Sequence, residues 1–238
     1  MPLRIACDLD GTVADMDAAL QREAHRLFGP EIELHAFPGE RLESAEDVEG
    51  QVLSDTEARA TIDMRTLTSR QLAQLWRHVS QIDNFWMTLG EIEPGTIARL
   101  STLAAALRWE VIFLTQRPAS AGETTQRQSQ RWLQAHGFEF PSVMVMRGSR
   151  GKVASALALD VVIDDRPENC LDVLTDSTAQ PFLIWRFGAD AVVPLGGSPV
   201  ERFASMAEAI AVLETMSAER KRGPTLFGRL KQAFGGTP

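Results

Sequence analysis

The sequence predicts an α/β protein built on a doubly wound, mainly parallel sheet, with a helical insertion directly after the first strand. Three observations carry this expectation. From about Thr96 to Met216, short apolar runs of strand length alternate with segments of helical spacing. Such alternation yields a parallel sheet with helices on both faces. The stretch from about Met16 to Glu93 interrupts it, being polar and helix-rich with no convincing buried strand. Finally, acidic and hydroxyl residues follow three of the predicted strands, and open parallel sheets bind ligands outside the carboxyl ends of their strands.

Each element has its own warrant. Leu3 to Cys7 is a short apolar run ending in acids and a glycine, which reads as a buried strand feeding a loop. Ala18 to Phe28 and Ser69 to Trp86 have helical spacing, and Phe37 to Asp47 is loop-like. Glu93-Pro94-Gly95-Thr96 punctuates the chain and starts a helix through Leu107. Strands follow at Val111 to Leu114, Val143 to Met146, Val161 to Ile163 and Phe182 to Trp185. Helices are predicted over Gly122 to His136, Lys152 to Ala158, from Glu168, and over Met206 to Met216. The whole is a Rossmann-like core over 1–15 and 94–217, a helical cap over 16–93 and a basic tail over 218–238. No internal repeat is visible.

Composition narrows the function. The 238 residues carry a net charge of -8. Proteins that grip nucleic acid through its phosphates usually present a basic patch, so no duplex partner is expected. A small anionic substrate is compatible with this charge, because one pocket or metal can overcome the global field. Five basic residues against one glutamate give residues 218–238 a net +4, leaving -12 on residues 1–217. Leu226, Phe227, Leu230 and Phe234 in that tail have the spacing of an amphipathic membrane-surface anchor, but a frayed terminus is the preferred reading. Cys7 and Cys170 lie in or beside apolar runs and read as reduced core thiols of a cytoplasmic protein. No signal peptide and no apolar run of membrane-spanning length is seen. The sequence is compatible with a homo-oligomer and names no oligomeric state.

The strand ends supply the chemistry. The first strand ends in Asp8-Leu9-Asp10-Gly11-Thr12, the second of the core in Thr115-Gln116-Arg117, and a later one in Asp164-Asp165. Lys152 stands at the start of a helix between the second and third sets. Two carboxylates two residues apart, joined by an acidic pair from another strand, make an oxygen cage that suits Mg²⁺. Without a cation, four converging carboxylates would repel one another. A hydroxyl and an ammonium can hold the remaining phosphate oxygens, which points to phosphoryl transfer. A carboxylate can itself attack phosphorus, and a second can donate and then accept the proton.

Asp8-x-Asp10-Gly11-Thr12, Thr115, Lys152 and Asp164-Asp165, in this order, resemble the four motifs of haloacid dehalogenase-type phosphatases. The resemblance implies that Asp8 is the nucleophile and Asp10 the acid/base. It implies that Thr115, Gln116 and Lys152 bind phosphate, and that Mg²⁺ is held by Asp8, the main-chain carbonyl of Asp10, and Asp165, with Asp164 behind them. Asn84-Phe85-Trp86, Glu93-Pro94-Gly95, Val111 to Thr115, Arg131-Trp132-Leu133 and Asp164-Asp165-Arg166-Pro167, in this order, are similar to the 5'(3')-deoxyribonucleotidases. That implies a small phosphorylated substrate, a (deoxy)nucleoside monophosphate. Gln116 stands where those enzymes usually have serine. Met16 stands where an aromatic residue helps hold the base, so Met16 and the Phe85-Trp86 region become candidate substrate contacts.

Plainer readings stand beside these. Asp-x-Asp-Gly is a turn-forming sequence in its own right. Asp164-Asp165 would complement a helix N-terminus, and Thr115 would cap one. Arg147 and Arg150 compete with Lys152 for the phosphate. Trp76, Trp86 and Trp132 suit a core, and His25, His35, His78 and His136 are too scattered for zinc. Other functions on the same fold are a phosphatase of another small metabolite, a 3'-end phosphatase of nucleic acid, and a non-catalytic regulatory protein. The acidity of residues 1–217 argues against the nucleic-acid enzyme, and the presence of both Asp8 and Asp10 against the non-catalytic protein.

Overall fold

The structure, a computed structural model, describes residues 2–32, 34, 67–186 and 200–222. The loop expected over Phe37 to Asp47, His35 and residues 223–238 of the tail lie outside them. β1 (Arg4–Asp8) is central, because its residues 5 to 7 are apolar and fully buried on both faces. The other strands of its sheet are β4 (Glu110–Thr115), β5 (Ser142–Val145), β6 (Val161–Asp164), β7 (Gln180–Ile184) and β8 (Glu201–Phe203). Their order is β5-β4-β1-β6-β7-β8, and every pairing is parallel. Burying one such apolar side chain is worth about 1.5–3 kcal/mol, and Ile5, Val161, Ile163 and Phe182 are all fully buried.

The helices are α1 (Met16–Phe28), α2 (Ser69–Gln81), α3 (Thr96–Leu107), α4 (Thr125–Ala135), α5 (Arg150–Ala156), α6 (Pro167–Asp176) and α7 (Met206–Arg222). Local chemistry sets their starts. Thr68 and Gln71 form a reciprocal capping box on α2. Thr124 caps α4 and Ser149 caps α5. Pro167 occupies the first turn of α6, where a missing N–H costs nothing.

The helix expected to run from Ser69 to Trp86 ends at Gln81. Asn84 adopts a left-handed conformation (φ 53°), which a continuous helix cannot contain, and Phe85–Met87 forms a separate 3₁₀ turn. Besides β8, two further short strands have no signal in the sequence. β2 (Ala14–Asp15) and β3 (Gly90–Glu91) pair antiparallel, Ala14 with Glu91 and Asp15 with Gly90. The chain segments entering and leaving the insertion are thus tied side by side. α1 packs against α2, and Met16, Ala19, Leu20, Leu75, Trp76 and Val79 join Leu3, Ile5 and Cys7 in one continuous apolar cluster.

Candidate active site

Register brings the sequence-predicted residues to one edge. Asp8 lies beside Leu114, and Cys7 beside Ile163. Asp8, Thr115 and Asp164 therefore emerge together at the carboxyl ends of β1, β4 and β6. The loop after β1 turns tightly: the Leu9 carbonyl accepts from the Val13 and Ala14 amides at 2.9 and 2.7 Å. Gly11 sits at φ 82°, a conformation glycine adopts without steric cost.

Asp8, Asp10, Thr115 and Asp164 are all buried. Buried carboxylates need counter-charge, and two arginines supply it. Arg150 Nη2 donates to Asp8 Oδ1 at 2.7 Å, and its Nε lies 3.6 Å from Asp164 Oδ2. Arg117 grips Asp10 through Nη2 to Oδ1 at 2.7 Å and through Nε to Oδ1 and Oδ2 at 3.0 and 2.9 Å. Thr115 Oγ1 adds a hydrogen bond to Asp10 Oδ2 at 3.0 Å. Thr12 Oγ1 reaches Asp165 Oδ1 at 3.3 Å. Both oxygens of Asp164 accept from Asn169 Nδ2 at 2.9 Å, and Oδ1 also accepts from the Arg166 amide.

Arg186, at the end of β7, fastens the same loop from outside. It donates to the Gly11 and Thr12 carbonyls at 2.7 and 2.9 Å and to Glu93 Oε1 at 2.8 Å. Glu93 in turn accepts from the Met206 and Ala207 amides at the start of α7. Burial alone would raise the Glu93 carboxyl. The Arg186 hydrogen bond and those two amides outweigh it, and the carboxyl lies below its ordinary 4.5.

The remaining candidates are placed differently. The Lys152 and Gln116 side chains are exposed, and Arg150 rather than Lys152 contacts the carboxylates. In the sequence Arg150 stands only as a competitor for that place, Arg117 closes the Thr115-Gln116-Arg117 strand end with no role assigned to it, and Arg186 carries no signal. Met16, Phe85 and Trp86 are buried in the apolar cluster, where they contact core side chains. Trp86 also packs its ring against Arg117. Burial, reinforced by adjacent Asp8, pushes the Cys7 thiol far up, so it stays a neutral packing group and not a rival nucleophile. Among the described residues, no set of three or more His, Cys, Asp or Glu side chains is gathered for a metal, and no helix is long and apolar enough to cross a membrane.

No protein-family model matches the sequence, and no curated protein matches it. Solved structures do. A HAD-family hydrolase of Deinococcus radiodurans with bound phosphate and sodium superposes at TM-score 0.53 and 16% identity, covering 89% of this chain and 95% of that one. A putative β-phosphoglucomutase of Thermotoga maritima gives 0.50 and 16%, with 90% and 99% covered. A hydrolase of Pseudomonas syringae gives the same 0.50 and 16%, with 90% and 98% covered. The chain has the α/β fold of the haloacid dehalogenase-like hydrolases.

Proposed function

We propose that the chain is a Mg²⁺-dependent phosphomonoester hydrolase working through an aspartyl-phosphate on Asp8. The observation that carries this reading is the meeting of Asp8, Asp10, Thr115 and Asp164 at one sheet edge, with a buried guanidinium on the first. The bound phosphate of the Deinococcus radiodurans hydrolase, which shares the fold, agrees with it.

The donor chemistry fits Mg²⁺. Asp8, the main-chain carbonyl of Asp10 and Asp165 would hold it, all hard oxygens. Two carboxylates and a carbonyl leave room for the waters and phosphate oxygens this ion retains. Asp164 is better suited to positioning, since Asn169 and the Arg166 amide already engage its oxygens. When bound, the ion neutralises charge on the phosphoryl oxygens.

The chain's own groups do the rest. An Asp8 oxygen attacks phosphorus, and Asp10 protonates the departing oxygen. Asp10 then takes a proton from the water that releases phosphate from Asp8. Arg150 takes the part the resemblance gives to a lysine, steadying Asp8 and offering a guanidinium to phosphoryl oxygens. Thr115 has one hydroxyl proton, available to Asp10 or to a phosphoryl oxygen but not to both. The insertion between β2 and β3 serves as a cap that closes over substrate and excludes water.

A (deoxy)nucleoside monophosphate is the first substrate class to test. Met16, Phe85 and Trp86 are buried, so base recognition falls to other residues. A phosphate-release screen with Mg²⁺ over nucleoside monophosphates, sugar phosphates and p-nitrophenyl phosphate tests the proposal. Hydrolysis that disappears in Asp8→Asn supports it. No hydrolysis above that variant for any ester sinks it.

A further inference from the structure

Arg117 plays no part in the scheme above, yet it is the most enclosed charge at the site. Its side chain is fully buried. Nε and Nη2 face the two oxygens of Asp10, Nη1 donates to Ser129 Oγ at 2.9 Å, and Trp86 and Trp132 flank the guanidinium at 5.0 and 5.9 Å. The flanking rings are anchored too. Trp86 Nε1 donates to the Pro118 carbonyl at 2.9 Å and Trp132 Nε1 to the Leu89 carbonyl at 2.7 Å. A forked guanidinium fixes the plane of a carboxylate as well as its position. The surroundings then fix the guanidinium on three sides.

A proton shuttle needs that constraint. In the first step the bond from an Asp8 oxygen to phosphorus forms while the bond to the leaving oxygen breaks. The electron pair goes to that oxygen, which takes a proton from Asp10. In the second step a water oxygen bonds phosphorus, its proton passes to Asp10, and the bond to Asp8 breaks. Each transfer runs along a hydrogen-bond line of about 2.6–3.2 Å, so a carboxyl rotated out of line transfers poorly.

We propose that Arg117 is the positioning residue of this proton transfer, setting the plane of the Asp10 carboxyl, with Trp86 and Trp132 holding Arg117 in place. The inference rests on the reading of Asp8 and Asp10 as nucleophile and acid/base. Its signature is dependence on the leaving group. An alkoxide needs the proton from Asp10, whereas dinitrophenolate departs without one.

The test measures kcat/KM, which reports the step through phosphoryl transfer to Asp8, for glycerol phosphate and for dinitrophenyl phosphate with Mg²⁺. Wild type, Arg117→Met, Arg117→Lys and Asp10→Asn are compared, with circular dichroism to verify the fold. Arg117→Met should lower the alkyl ester by about 100-fold and the dinitrophenyl ester by less than about fivefold, the same pattern as Asp10→Asn. Arg117→Lys keeps the buried charge but loses the planar fork, and it should show the same selectivity even if the methionine variant does not fold. An equal loss on both esters, or full recovery with lysine, overturns the inference. If Asp10→Asn itself shows no leaving-group dependence, the acid/base reading fails first and takes the inference with it.

Discussion

The two ends of β1 carry charged residues under opposite conditions. At its start, Arg4 Nε pairs with Glu110 at 2.8 Å, with side chains 42% and 61% exposed, and Arg220 pairs with Asp160 at 2.6 Å. At its finish, Arg150 and Asp8 pair at 2.7 Å with side chains 5% and 2% exposed, and Arg117 and Asp10 at 0% and 5%. The contact distances are alike and the surroundings are not. Water screens the first set, so each of its pairs is worth at most about 1 kcal/mol. The second set has lost its hydration, and removing one partner strands a charge at a cost of about 3–5 kcal/mol. Polar groups kept in such a place point to chemistry, because apolar residues of similar size would give an equal or better core.

The sharpest way to break this contrast is at Asp8, the proposed nucleophile. Asp8→Asn should reduce phosphate release by at least about 10³-fold and, by removing the charge that balances Arg150, lower the unfolding temperature by about 6–20 °C while the chain still folds. Steady-state assay and thermal denaturation check both halves, and substantial residual turnover in a verified sample removes Asp8 from its role. Chelation comes next. Excess EDTA should bring the wild type down to the level of that variant, and added Mg²⁺ should restore it. Full activity in metal-free buffer would overturn the proposed metal requirement.

Arg150→Met should lower activity by about 100-fold and stability by about 3 kcal/mol, read from urea denaturation. Lys152→Ala should cost less than about threefold in rate; the reverse ranking would return the phosphate contact to Lys152. At the other end of the strand, Glu110→Ala should change stability by less than about 1 kcal/mol and leave the rate unaltered.

The smallest effect is in acid. Burial would raise Asp160, but hydrogen bonds from Arg220 and the Arg4 amide hold it below its ordinary 3.8, and Glu93 lies below 4.5. For depressed carboxyls, the stability contributed is present above the ordinary value and is lost as pH falls through the folded-state value. Stability should therefore drop between about pH 5 and 3. Glu93→Gln should flatten that decline in denaturation curves taken across the range, and an unchanged slope would count against the Arg186–Glu93 linkage.

Much of this architecture was legible in the chain. The apolar runs that became β1, β6 and β7 are buried on both faces, and that of β4 becomes so from Phe113 onward, a condition that leaves an unmistakable pattern. β8 was missed because two of its three residues, Glu201 and Arg202, are charged and exposed. β2 and β3 are two residues each, too short for any periodicity. In the candidate site, the acids could be found because Asp8, Asp10 and Asp164-Asp165 follow strands directly. Their counter-ions were only partly legible, Arg150 as a rival to Lys152 and Arg117 as a strand-end residue without a role. Arg117 and Arg150 are buried by contacts from β1, α4 and the Phe85–Met87 turn that lie far away in sequence, and an arginine codon carries no mark of its eventual depth. Lys152 has the expected residue type at the expected helix start, but the helix turns its ammonium to solvent while Arg150 points inward.

One feature of α5 extends past its own packing. Gly151 follows Arg150, and a Cβ built there would collide with the Asp172 carbonyl and come within 2.8 Å of Asp176 Cβ. The same two acids anchor the helix start, accepting from Ser149 Oγ at 2.9 and 3.1 Å, while the Gly151 amide bonds Asp172 at 3.0 Å. Even alanine at 151 must therefore lift α5 from α6, and Arg150 travels with it. In a saturation mutagenesis survey scored only by survival of activity, position 151 would rank with the acids of the site. A residue with no side chain and no contact with substrate would look indispensable, because the reach of its neighbour depends on two helices lying closer than any methyl group allows.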